Sequence, residues 1–383
     1  MSTTTILAIE SSCDETACAV VQREDDCGTV VVLAETTATS LTKHIETRGI
    51  VPEVAAREQV KVILPTIQHT LAKYTQTIKN PTINQSIDQI DAIAVTTGPG
   101  LVGSLLIGVE TARSLAMTWN KPIIPVDHVL AHQYANFIQT KIPNTQSLEL
   151  NTKNEHSIIT STTPKFPLLS WVISGGHTNL YYMNSHTEIE KIGQTVDDAV
   201  GECFDKCARV LGYDYPGGPH IEKLARKIES EKFINLKLNI KKFPTLPRPL
   251  LHSKELNTSF SGLKTAFARM FEKLSNNKEL SKEEIQILLA NNLQQAIIDV
   301  VVKKTQLALE QFPKTKGLLL SGGVAANKAL SDAIIKYSQT LLPTLTFHHP
   351  AQKWCSDNAV MIGAYALFHQ KNAIEWQKIE IRL

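Results

Sequence analysis

The chain carries one local plan twice. In its first half an apolar strand, Ile6 to Ile9, runs into the small polar turn Ser11-Ser12-Cys13-Asp14-Glu15-Thr16 and leaves through a second strand, Ala17 to Val21. In its second half Leu168 to Ile173 runs into Ser174-Gly175-Gly176-His177-Thr178 and leaves through Leu180 to Met183. Each half then adds an apolar strand, a glycine turn and a small-residue helix. In the first half these are Ala92 to Val95, Thr96-Thr97-Gly98-Pro99-Gly100 and a helix from about Val102 to Met117; in the second, Leu318 to Leu320, Ser321-Gly322-Gly323 and a helix from about Ala325. Strands alternating with helices predict an α/β fold, and the repeat predicts two duplicated lobes. Glycine lets a ligand approach the backbone, and the helix start that follows offers unpaired N–H groups to an anion. Two such lobes predict a nucleotide cleft.

At 383 residues, 43% hydrophobic and 20% charged, the chain exceeds one ordinary core and fits two domains. The expected division is residues 1–136 with 352–383, an inserted loop at 137–166, and residues 167–351. From Gln139 to Lys165 the sequence is rich in Thr, Ser and Asn without a sustained period, and reads as a mobile surface loop. Apolar faces predict helices at Pro52 to Tyr74, Asp197 to Leu211, Lys282 to Leu309 and Asp357 to Phe368. The longest apolar runs are short and broken by glycine or polar residues, so no membrane span is expected. The first strand begins directly after Met-Ser-Thr-Thr-Thr, which leaves no room for an export signal and predicts a cytoplasmic protein.

Six cysteines without a Cys-x-x-Cys pair do not resemble a disulfide framework. A net charge of +2 argues against coating nucleic acid through bulk charge but allows a local basic patch. The candidate lies between His220 and Leu250, where Lys223, Arg226, Lys227, Lys232, Lys237, Lys241, Lys242 and Arg248 face Glu222, Glu229 and Glu231. A solvated helix and loop would look the same.

His128-Val129-Leu130-Ala131-His132 follows the strand Ile123 to Val126 and opens a helix. A spacing of four sets both imidazoles on one face, about 5 to 6 Å apart at Cβ, close enough to share a metal ion. Val129 stands where a zinc protease of the His-Glu-x-x-His kind needs its glutamate, which disfavours peptide hydrolysis. A third donor must come from elsewhere. Asp357 qualifies, although an aspartate at a helix start also serves as an N-cap, and His348 and His349 are rival donors. Asp205 lies on a helix read as also carrying Asp197, Asp198 and Glu202, and ahead of the loop ending Pro216-Gly217-Gly218-Pro219; a carboxylate there can accept from ribose hydroxyls.

In this order the residues resemble the universal tRNA threonylcarbamoyltransferase family, once described as a glycoprotease. The resemblance rests on Glu10-Ser-Ser-Cys-Asp-Glu-Thr16, Gly49-Ile-Val-Pro-Glu-Val-Ala-Ala-Arg57, Thr97-Gly-Pro-Gly-Leu-Val-Gly103, His128 to His132, Val172-Ile-Ser-Gly-Gly-His-Thr178 and Asp197-Asp-Ala-Val-Gly-Glu202. It continues through Asp214-Tyr-Pro-Gly-Gly218, Ser259-Phe-Ser-Gly-Leu-Lys264, Ser321-Gly-Gly-Val-Ala-Ala-Asn327 and Cys355-Ser-Asp-Asn358. It implies a duplicated actin-like ATPase fold, shared with acetate kinase, and one divalent metal held by His128, His132 and Asp357, with Fe2+ favoured and Zn2+ also suited. Val172, Ile173, Ser174, Gly175, Gly176, Asp205, Gly218 and Asn327 would line the pocket for threonylcarbamoyl-adenylate, and Asp14 and Glu15 match acidic residues important in the family, one of them orienting or deprotonating the attacking amine. The implied reaction moves the threonylcarbamoyl group to N6 of adenosine 37 in tRNAs reading ANN codons and releases AMP. The implied partners are tRNA, a scaffold paralogue (TsaB-like), a P-loop ATPase (TsaE-like) and an enzyme that makes the adenylate. The chain departs from the bacterial pattern in its loop from Gln139 to Lys165 and in Asn179, where glutamine is usual. A scaffold paralogue would lack the histidine pair, and a sugar or acetate kinase of the same fold would have no use for it.

Overall fold

The run Ile6 to Ile9 is apolar at every position, the pattern of a strand covered on both faces, and strand β1 (Thr3–Glu10) has all four of these residues fully buried. Around it the computed structural model describes residues 3–24, 28–40, 49–79, 82–139, 163–229, 245–276 and 280–382. The chain divides into two units, residues 1–165 with 347–383 and residues 166–346.

In the first unit β1 pairs antiparallel with β2 (Glu15–Glu24), and β2 antiparallel with β3 (Val30–Thr39). On the other side β4 (Ala92–Gly98) and then β5 (Ile123–Asp127) add in parallel, and the short β6 (Ile138–Gln139) joins the far edge. The order is β5-β4-β1-β2-β3-β6. The helix Pro52–Thr77 opens with proline, whose missing N–H would be unpaired there in any case. The helix Val102–Trp119 stops at Asn120, which turns left-handed at φ 51. A third helix, Ala359–Phe368, is buried along nearly its whole length, and Gly363 lets it sit against Ala8 and Val21 of the sheet.

The second unit repeats the plan. Strand β7 (Leu168–Ile173) pairs antiparallel with β8 (Thr178–Met183), β8 antiparallel with β9 (Ile189–Gln194), and β10 (Gly317–Ser321) parallel with β7. With β11 (Thr346–His348) outside β10, the order β11-β10-β7-β8-β9 matches β5-β4-β1-β2-β3 strand for strand. The duplication seen in the sequence is thus a duplicated α/β topology.

Three helix starts differ from the sequence expectation. After β10 the chain winds as a 3-10 turn, Gly323–Ala326, and the α-helix begins at Lys328, because Asn327 caps it by accepting from the Leu330 amide at 3.0 Å. The helix carrying Asp205 is Val200–Val210, so Asp197 and Asp198 precede it. Asp197 is engaged elsewhere: its carboxylate accepts from Ser259 Oγ, Ser261 Oγ and the amides of Phe260 and Ser261, which holds the start of the helix Ser261–Ser275. The last helix begins at Ala359 and not at Asp357.

The helix Lys282–Gln311, locked at its start by a capping box between Ser281 and Glu284, amends the membrane expectation. An 18-residue window of mean hydropathy 1.4 makes it long and apolar enough to cross a bilayer, but 72% of that window is buried inside the protein, as in a core helix. Of the basic stretch, Lys232, Lys237, Lys241 and Lys242 lie outside the described residues, as does most of the expected loop from Gln139 to Lys165. Among the rest, Arg226, Lys227 and Arg248 pair with Glu222, Glu283 and Asp299.

Candidate functional site

Asp127 ends β5 and caps the helix His128–Tyr134, accepting from the Leu130 amide at 2.9 Å. That short helix stacks His128 and His132 on one face, ring centroids 4.9 Å apart and nearly perpendicular at 78°. The cap of the helix Ala359–Phe368 is Asn358, whose Oδ1 accepts from the Met361 amide at 2.9 Å. Asp357 is therefore spared the capping role. Its Oδ1 lies 3.5 Å from His128 Nε2 and 3.3 Å from His132 Nε2, and the donor atoms of the three residues lie within 4.8 Å of one another. The rival donors fall outside this group: His348 sits in β11, where burial pulls its pKa down to about 4, and His349 Nε2 lies 4.0 Å from Cys355 Sγ.

His132 is fully buried, and neither of its ring nitrogens makes a hydrogen bond; Nε2 approaches Asp357 without the alignment of one. Buried polar atoms are almost always satisfied. Two imidazoles and a carboxylate aimed at one point, one imidazole otherwise unsatisfied, form a donor set that a divalent metal fits. Burial depresses the His128 pKa, but the carboxylates of Asp357 and Glu10 outweigh it and hold that pKa well above the ordinary value. Burial likewise pushes Asp357 up, and the charge and hydrogen bonding of His128, joined by His132, bring it well below the carboxylate range.

Sequence reasoning passed over Glu10 as an individual residue. It is fully buried at the end of β1; Oε1 accepts from the Ser12 amide at 2.6 Å and Oε2 from Thr96 Oγ1 at 2.5 Å. The same Oε2 lies 3.2 Å from His128 Nδ1, with Ser12 Oγ at 3.1 Å from that nitrogen. A carboxylate behind a histidine fixes its tautomer and orientation toward a metal. The available signal was a single acid closing an otherwise apolar strand.

Asp14 lies in the turn between β1 and β2, and Glu15 opens β2. Gln59, also passed over, is buried in the helix Pro52–Thr77, and its Nε2 reaches the carbonyls of Ser11, Cys13 and Glu15 at 3.0 to 3.3 Å, holding the hairpin backbone. Asp14 offers its carbonyl to Ser40 Oγ at 2.6 Å. Glu15 Oε1 accepts from Thr39 Oγ1 at 3.0 Å, whereas Oε2 is buried without a hydrogen bond. Burial first, then the charge of Asp14, pushes the Glu15 carboxyl up to about 7, and Asp357 adds to the effect. The hairpin acids thus share the electrostatic neighbourhood of the histidine pair.

In the second unit β7 and β10 run in parallel, and Ser174, Gly175 and Gly176 follow directly on the end of β7, the edge at which α/β sheets hold ligands. A Cβ at Gly175, Gly176, Gly218 or Gly323 would meet nothing within 4 Å, so their backbone is open. Gly201, at the start of the helix Val200–Val210, packs on the Ser174 carbonyl and on Gly175, and its amide donates to Ser174 O at 3.2 Å. Asp205, on the same helix, accepts from the Gly217 amide at 2.6 Å and so holds the start of the helix Gly217–Arg226. Burial raises its pKa, against the pull of the Gly217 and Gly218 amides and Arg209. Ser174 Oγ accepts from the His177 amide. Val172 and Ile173 are fully buried, backbone included. Asn327 uses its oxygen for the helix cap and its Nδ2 to donate to Gln294 Oε1 at 3.0 Å.

Comparison with known proteins places the chain in a family. Residues 31–148 and 146–364 match the TsaD family, described as tRNA N6-adenosine threonylcarbamoyltransferase. The tRNA N6-adenosine threonylcarbamoyltransferase of Shouchella clausii is 39% identical over 363 residues, 95% of this chain and 92% of that protein. The Staphylococcus haemolyticus protein of the same name is 37% identical over 97% of this chain and 93% of its own length. Among solved structures, full-length HypF in its phosphate- and nucleotide-bound form has a TM-score of 0.51 at 12% identity, covering 96% of this chain and 46% of that one, a likeness of fold alone.

Proposed function

The chain belongs to the TsaD family of tRNA N6-adenosine threonylcarbamoyltransferases, and on that premise we propose that it moves the threonylcarbamoyl group of threonylcarbamoyl-adenylate onto N6 of adenosine 37 in tRNAs reading ANN codons, releasing AMP. The observation that carries the reading is the convergence of His128, His132 and Asp357, with His132 buried and its ring nitrogens making no hydrogen bond. The residues that would hold one divalent ion, Fe2+ by preference or Zn2+, are these three; bound there, it would supply Lewis acidity toward the carbamoyl carbonyl. Glu10 keeps the His128 ring turned so that Nε2 faces Asp357.

The open backbone at Gly175, Gly176 and Gly218 receives the adenylate, its N–H groups facing the phosphate, and Asp205 accepts from the ribose hydroxyls. The N6 nitrogen bonds to the carbamoyl carbon, the bond from that carbon to the phosphate oxygen breaks, and AMP leaves. The proton from N6 passes to Glu15, whose pKa of about 7 suits a base at neutral pH, with Asp14 orienting the amine. A scaffold paralogue and a P-loop ATPase complete the machinery in the cytoplasm. Exposed apolar side chains on two helices, Val60 and Leu64 on one and Val102 and Leu106 on the other, support docking of a partner.

The test is incubation with synthetic threonylcarbamoyl-adenylate, the partner proteins and unmodified tRNA, followed by mass analysis of the nucleosides. Threonylcarbamoyladenosine at the expected position, lost in His132→Ala, is the expected result. Unmodified tRNA with all partners present overturns the reading and favours a scaffold.

A further inference from the structure

Asp357 belongs to an irregular segment held partly by its own hydrogen bonds and partly by a residue of the sheet. Three residues before it the chain makes the 3-10 turn Gln352–Trp354. Glu35, in the middle of β3, grips both residues at the end of this turn: Oε1 pairs with Lys353 Nζ, and Oε2 accepts from the indole N–H of Trp354 at 2.9 Å. Lys353 Nζ also lies 4.4 Å from the centroid of the Trp354 ring, so the ammonium sits between the indole face and the carboxylate. The backbone of Glu35 is pinned in turn, its carbonyl accepting from Lys73 Nζ at 2.9 Å.

The grip passes directly to the residues around Asp357. Trp354 is 3% exposed, and its carbonyl accepts from Asn358 Nδ2 at 3.2 Å, while Asn358 caps the final helix. Asp357 is thus bracketed by Trp354 on one side and Asn358 on the other, and Trp354 is anchored to the sheet through Glu35. On the outer side a groove of about 650 Å³ runs past Leu33, Glu35, Lys73, Lys353 and Trp354. The indole N–H is the polar atom of this buried ring, and Glu35 supplies its acceptor.

We infer that Glu35 and Trp354 form a latch that positions Asp357 for metal binding, Glu35 acting through Trp354 and touching neither metal nor substrate. The inference rests on the reading of His128, His132 and Asp357 as a metal site. The latch sets how well the carboxylate is pre-aligned, and losing it costs affinity for the ion without removing a ligand.

The test uses Co2+ as the probe, added to full-length protein freed of metal by chelation, with binding followed by titration and the visible absorption of the bound ion. Trp354→Phe keeps the ring and removes the donor; Glu35→Ala removes the acceptor; Glu35→Gln keeps an acceptor for the indole; His132→Ala removes a ligand. Wild type binds one Co2+, His132→Ala binds none, Trp354→Phe and Glu35→Ala bind about tenfold more weakly with an altered visible band, and Glu35→Gln stays near wild type. Circular dichroism checks the fold, and since Trp354→Phe is close to isosteric it remains informative if Glu35→Ala fails to fold. Equal Co2+ affinity and spectrum in wild type and Trp354→Phe overturn the latch while leaving the metal site standing. A wild type that takes up no Co2+, or does so regardless of His132, overturns the metal site and with it the latch.

Discussion

Glu10 Oε2 and His128 Nδ1 lie 3.2 Å apart, on the side of the imidazole away from the nitrogen that faces Asp357. The ring is therefore held from behind by one carboxylate and presented in front to another. Glu10→Gln keeps the size of the side chain and removes its charge, so the fold should persist while metal affinity falls about tenfold. Metal content after dialysis against a graded chelator, read by elemental analysis, checks this. Glu10→Ala goes further, since it also strips the Ser12 amide and Thr96 hydroxyl of their acceptor. Each buried group left unpaired costs about 1–3 kcal/mol, and a drop in denaturation midpoint should accompany the loss of metal.

Glu15 predicts a pH dependence. Its folded pKa of about 7 stands above the model-compound value of 4.5, chiefly because burial penalises the anion, so the folded protein holds a proton there that the unfolded chain releases. Stability contributed by this site is accordingly full below pH 4.5 and declines as pH rises toward and through 7. Glu15→Gln removes the decline: relative to wild type it should gain stability between pH 5 and pH 8, measured as the shift in urea midpoint, while losing transfer activity across that range. Parallel pH profiles for the two proteins would contradict the assignment.

The features legible in the sequence were those carried by local pattern. The two hairpins, the two strand–glycine–helix units and the four-residue spacing of His128 and His132 all rest on residues close in the chain, where periodicity and glycine chemistry speak directly. What sequence could not supply was partnership over distance. Glu10 and His128 are 118 positions apart, and only the parallel pairing of β1, β4 and β5 brings their ends together. Asp357 reads in sequence as a candidate helix cap, but Asn358 takes that role and Asp357 faces the histidines instead. Asp197 misled for the same reason, since an acid near a helix start also fits the start of another helix, here one beginning 64 residues later.

That second role of Asp197 carries its own prediction. Its carboxylate accepts two backbone amides and two hydroxyls at the start of the helix Ser261–Ser275, an arrangement equivalent to an N-cap supplied from outside the helix. Asp197→Ala should destabilise the protein by about 1 kcal/mol, the usual worth of a cap. Asp197→Asn, which can still accept, should cost less. Equilibrium urea unfolding of the three proteins gives the comparison, and equal midpoints would show that the helix start is held by other contacts.

The glycines of the second unit divide into two kinds that substitution should separate. Gly176 and Gly218 have no positive φ, and a methyl added at either would meet nothing within 4 Å, so alanine fits the fold without strain. The same methyl would occupy the space where a ligand reaches the backbone, and affinity for the adenylate should fall, with KM rising more than kcat drops. At Gly201 a Cβ would lie 2.6 Å from the Ser174 carbonyl oxygen and 2.7 Å from Gly175 Cα, both backbone atoms with no freedom to yield. Gly201→Ala must therefore push the helix Val200–Val210 off the turn, lowering the melting temperature and binding together. Calorimetric titration with a non-hydrolysable adenylate, run beside thermal melts, distinguishes the two classes: Gly176→Ala and Gly218→Ala should melt with wild type and bind poorly, and unimpaired binding in both would mean that the adenylate does not contact this backbone.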